Sequence, residues 1–74
     1  MSDYVESIDN AITVFLRRTN STQKQLAKDL DIRDETLSAK RKGVRDFKVS
    51  ELVRLSQIMG MSLDEMTGLQ AKAS

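Results

Sequence analysis

The chain has no cysteine, no histidine, no proline and no tryptophan, and only three aromatic residues. Without cysteine there can be no disulfide and no thiolate metal ligand, and without histidine no imidazole ligand and no proton relay. Zinc sites of these ligands and Ser-His or Cys-His catalysis are thereby excluded. Long apolar runs are missing as well: none approaches the roughly 20 residues needed to cross a bilayer. The N-terminus, MSDYVES, is acidic instead of basic and then apolar, so it does not read as a secretory signal. These absences predict a soluble, cytoplasmic chain that carries no cofactor and no membrane anchor.

What is present favours helix. Proline is absent, glycine occurs three times, and Leu, Lys, Glu, Gln and Ala are frequent. A length of 74 residues makes a single domain, 1–74, with a simple core, since so short a chain buries only about 60% of its unfolded surface. The expected class is all-α, a compact bundle of about five short helices.

Charge sums to +1, which taken alone argues little for a polyanionic partner, but its distribution is uneven. Residues 1–10 carry three acids and no base, whereas KRKGVRDFK, residues 40–48, carries five bases against Asp46 alone. Such asymmetry can orient a protein on a polyanion without a high total charge. A solvated lysine-rich loop is the plainer alternative.

The first helix is expected over residues 3–19. Asp3 and Glu6 resemble a capping box, Val5, Ile8, Ala11, Ile12, Phe15 and Leu16 recur at helical spacing, and Arg17 and Arg18 suit the negative end of the helix dipole. After the polar break Thr19-Asn20-Ser21, Thr22 and Gln25 form a capping box for a second helix, whose Leu26, Ala27 and Leu30 face inward. A tight turn at Leu30-Asp31-Ile32 follows, in which Asp31 should take the left-handed conformation that Asp tolerates better than most residues.

A third helix is expected over residues 34–42. Asp34 and Glu35 stand in its first turn, Leu37 and the stem of Arg41 point inward, and Gly43 closes it. In the loop beyond, Val44 and Phe47 are expected to tuck into the core. The fourth helix, residues 49–59, is the most apolar and the expected centre of the fold. Gly60 stops it, Ser62 and Glu65 cap a short fifth helix over residues 63–67, and Gly68 ends that one. The tail, 69–74, is expected to fray.

Two short helices across a tight turn, residues 22–43, are the layout of a helix-turn-helix. Gln23, Ala27, Asp31, Ile32 and Leu37 stand at the spacing of the Cro and lambda-repressor type, which the chain resembles over about residues 5–68. Gly43 and the segment ending in GMSLDEM also resemble that family's closing helices. The chain departs from the pattern at Asp31, where the family usually has glycine, and at Ser21, where it usually has an apolar residue that Leu16 could replace.

The resemblance implies a sequence-specific regulator of transcription, a bacterial or phage repressor that binds double-stranded DNA as a homodimer on a pseudo-palindrome. Its third helix would lie in the major groove. Thr22, Gln23, Lys42, Arg45 and Lys48 would bind phosphates, and Arg33, Asp34, Glu35, Ser38 and Ala39 would read bases. A dimer surface is expected among exposed apolar residues near the C-terminus, namely Met61, Met66 and Leu69. The competing expectation is a protein-interaction module on the same fold, an antitoxin-like or anti-repressor domain whose acidic helix tip faces a basic partner. Catalysis by Asp29, Asp31, Asp34 and Glu35 is not expected, because a bundle of this size has little room for a water-excluding pocket. No small-molecule ligand is evident.

Overall fold

Ile8 and Ile12, one helical turn apart, lose all contact with solvent, and the other helices gather around them. A computed structural model describes residues 3–68 as α1 (Asp3–Thr19), α2 (Gln23–Asp29), α3 (Asp34–Arg41), α4 (Val49–Met59) and α5 (Leu63–Thr67). The expected all-α class and the number of helices are borne out, and α2, the turn and α3 are consistent with the expected helix-turn-helix. The expectations for residues 69–74, Leu69 included, lie outside the described residues, as does the side chain of Asp3.

The core joins Leu26, Ala27 and Leu30 of the α2 segment, Leu37 of α3, Leu55 and Met59 of α4, and Met66 of α5. Each fully buried Leu or Ile contributes about 1.5–3 kcal/mol relative to exposure. Helix α1 packs on both α3 and α5 and is the more central element. Expecting α4 there overcounted its apolar residues. At 100° per residue, Leu52, Leu55, Ile58 and Met59 share one face with Glu51, while Val49 and Val53 fall on the opposite face, 76% and 39% exposed.

The helix ends are fixed by local hydrogen bonds. Thr22 Oγ1 accepts from the Gln25 amide and Gln25 Oε1 from the Thr22 amide, and Ser62 with Glu65 repeats the pattern at α5. Helices α1, α2 and α3 close with the same pair of backbone bonds around a left-handed residue, and α4 closes around one whose own amide and the next both donate to the Ser56 carbonyl. That residue is Asn20 after α1 (φ +56°), Asp31 after α2 (+61°), Gly43 after α3 (+83°) and Gly60 after α4 (+68°). The Ile32 amide thus donates to the Ala27 carbonyl at 3.0 Å and the Asp31 amide to the Lys28 carbonyl at 3.0 Å. Asp31 does occupy the left-handed region.

Two further expectations need correction. Val44 is 74% exposed and does not enter the core. The reversal at Gly43 points the Val44 amide back to the Ala39 carbonyl and leaves the Val44 side chain at the surface, and Phe47 packs on the core in its place. Met66, expected to be exposed, is fully buried, and Met61 is partly buried. The C-terminal methionines are core filler for a short helix that has little else to bury, so the expected dimer surface loses Met66. Among the described residues no helix is long and apolar enough to cross a membrane.

Candidate nucleic-acid interface

Helix α3 has an inner side that is tied down and an outer side that is not. Leu37 is fully buried, and Lys40 beside it on the same face is buried too. The Lys40 ammonium donates to Glu51 Oε1 of α4, and that same oxygen accepts from the Lys48 amide at 2.9 Å. Burial pushes the Glu51 carboxyl up. Hydrogen bonds from the Lys40 side chain and the Lys48 amide, with the charges of both lysines, outweigh this and hold it below its ordinary value of 4.5.

Arg41 is the second inner anchor. Its Nε donates to Asp9 Oδ1 at 2.6 Å and its Nη2 to Thr13 Oγ1 at 2.8 Å, both on α1, and its Nη1 donates to Gln23 Oε1 at 2.8 Å on α2. Gln23 Nε2 in turn donates to Asp34 Oδ1 at 2.7 Å. One hydrogen-bonded chain therefore runs from α1 through Arg41 and Gln23 to the first turn of α3.

Arg33, Asp34 and Glu35 are exposed at that first turn, and Ser38 and Ala39 are half-buried farther along. Arg33 takes the position just before α3 with an extended backbone and makes no side-chain cap. Four of the five expected base-reading residues thus lie on α3 and Arg33 lies at its N-cap, although Asp34 already spends one oxygen on Gln23. Of the expected phosphate ligands, Thr22, Lys42, Arg45 and Lys48 are exposed, whereas the Gln23 side chain is engaged at both ends. Only the Gln23 backbone amide is left for an anion.

The basic run looks different in the folded chain. Two of its five bases, Lys40 and Arg41, are paired with Glu51 and Asp9, while Lys42 and Arg45 make no ion pair among the described residues. Its charge therefore counts for less at the surface than in the sequence. A gain appears elsewhere: a groove between α2 and α3 is lined by Lys24 and Lys28 together with Arg33, Asp34 and Glu35. These lysines were missed. Their signal was the i, i+4 spacing on the exposed side of α2, opposite Leu26.

No family model, no curated protein and no solved structure matches the chain.

Proposed function

We propose that the chain is a sequence-specific double-stranded DNA-binding regulator of transcription, of the repressor type, acting as a homodimer and residing on the nucleoid. The observation that carries the reading is the two-sided character of α3. Its inner side is anchored to α1, α2 and α4, and its outer first turn presents Arg33, Asp34 and Glu35 to solvent beside Lys24 and Lys28. A rigid helix with exposed polar residues at its N-terminal end, flanked by cations, suits insertion into a major groove.

Roles divide by chemistry. Arg33 can donate to a guanine edge, Glu35 can accept from cytosine N4, and Ala39 can lie against a thymine methyl. Thr22, Lys24, Lys28, Lys42, Arg45 and Lys48 would hold phosphates, fixing register and supplying salt-dependent affinity. Acids at the tip repel phosphate wherever they meet no donor, which favours selectivity over non-specific affinity. One α3 reads too few base pairs for selectivity in a genome, and a two-fold pair doubles the site.

The test is selection of the purified chain against a random duplex pool at near-physiological salt. Enrichment of an inverted repeat with half-sites about one helical turn apart supports the dimeric regulator. A chain that enriches nothing and binds nothing at low salt is not one. The second reading, a protein-interaction module on the same fold, is favoured by the internal pairing of Lys40 and Arg41, which leaves an acidic tip with fewer surface cations behind it. It would show as capture of a basic protein partner that Glu35→Ala abolishes.

A further inference from the structure

The chain of bonds from α1 to Asp34 has a fixed direction. A guanidinium only donates, so the Gln23 oxygen must face Arg41 and its amino group must face Asp34. Arg41 is itself pinned from the other side by Asp9 and Thr13, and Thr13 Oγ1 also donates to the Asp9 carbonyl at 3.0 Å. Rotation of the Gln23 amide would set donor against donor at one end and acceptor against acceptor at the other. The Asp34 carboxylate is consequently held by Oδ1, with Oδ2 left over.

A carboxylate can only accept, and in the major groove the donors are the amino groups of cytosine and adenine. We propose that Asp9 and Arg41, acting through Gln23, are positioning residues that fix Asp34 as a reader of one amino-bearing base edge. The inference rests on the DNA reading above. It assigns a part in base recognition to α1, a helix with no residue among the expected DNA contacts, and recasts Gln23 from a phosphate ligand to an orienting group. Without the tether, an exposed Asp at the start of a helix would sample several rotamers and serve the helix dipole in all of them.

The experiment repeats the duplex selection with Asp34→Ala, Gln23→Leu, Asp9→Asn and the double variant Gln23→Leu/Asp34→Ala. Circular-dichroism melting confirms that each is folded at the selection temperature. Asp34→Ala is expected to lose about tenfold discrimination at a single base pair, the scale of one good base contact. Gln23→Leu should lose discrimination at that same base pair and leave the other positions as they are. Asp9→Asn, which keeps the shape and weakens the hold on Arg41, should do so to a smaller degree. The double variant should discriminate no worse than Asp34→Ala alone, because the two residues act as one unit.

If Gln23→Leu weakens all sequences equally, or the double variant loses the sum of the two effects, Gln23 is an independent contact and the relay is overturned. If the wild-type chain enriches a sequence but every variant keeps the Asp34 position, the relay alone falls. Should the wild type enrich nothing, the DNA reading falls and the relay with it. If Gln23→Leu fails to fold, the near-isosteric Asp9→Asn decides by the same positional readout.

Discussion

Lys40 of α3 and Glu51 of α4 form an ion pair in which both partners are buried, and the Glu51 oxygen that meets the ammonium also caps α4 through the Lys48 amide. A buried charge is tolerable only while its counter-charge and hydrogen bonds are in place. No buried side-chain nitrogen or oxygen among the described residues lacks a partner.

Removing one half of this pair should therefore cost far more than removing both. Glu51→Ala leaves the Lys40 ammonium stranded and is expected to lose about 3 kcal/mol, a large share of the stability of so small a domain. Lys40→Met together with Glu51→Leu should recover most of it. Urea unfolding of the three variants is the check, and single losses below about 1 kcal/mol would mean that the pair is solvated and contributes little.

The same carboxyl sets a direction with pH. Its folded pKa is lowered, so the unfolded state binds the proton more tightly, and the stability it contributes is full above the unfolded value near 4.5. That stability is lost as pH falls through the folded pKa. The melting temperature should fall more steeply between pH 5 and 3 in the wild type than in Glu51→Gln, both taken relative to pH 7; parallel curves would assign the acid sensitivity to other groups.

Asp31 carries a side chain at φ +61°, where glycine has no Cβ to strain. Asp31→Gly is expected to stabilise by about 0.5 kcal/mol, which for a chain of this length raises the melting temperature by roughly 2–4 °C. Asn20→Gly, at φ +56°, should move in the same direction. A fall in melting temperature for Asp31→Gly would show that the Asp side chain stabilises the turn by more than the strain it carries.

On DNA, the residues of α3 should separate by kind. Arg33→Ala or Glu35→Ala should cost about 1–3 kcal/mol on the selected site and relax one position of it. If Glu35→Ala instead improves every sequence equally, Glu35 is a surface acid that serves only the helix dipole.

Lys42→Ala should behave differently, weakening all sequences alike and reducing the slope of log affinity against log salt by about 1. Lys40→Met serves as the contrast. Its charge is internal, so the slope should stay as it is, provided the double variant with Glu51→Leu is used to keep the fold intact.

The helices were legible because their signals are local. Thr22 with Gln25, Ser62 with Glu65, and the glycines at 43 and 60 mark helix ends within four residues, and Ile8 and Ile12 mark a core face by spacing alone. Partnerships between helices left no such mark. Lys40 read as one more base in a basic run, and only its position three residues after Leu37, with Glu51 four before Leu55, hinted that both lie on inner faces. Val44 was misplaced because hydrophobicity was weighed without the chain reversal that Gly43 imposes. The tie from Asp9 to Arg41 spans 32 residues, a distance over which spacing says nothing.

The anchoring of Arg41 also bears on modularity. Helix α3 looks like an eight-residue cassette that could be exchanged for another, yet a replacement lacking Arg41 would strand Asp9 and Thr13 of α1 and unhook Gln23 of α2. One lacking Lys40 would leave the buried Glu51 carboxylate without its ion-pair partner. Any graft must keep these two consecutive residues and Leu37 as framework. Glu35 within the helix and Arg33 just before it are exposed and make none of these bonds, so they are the positions a redesign would change first.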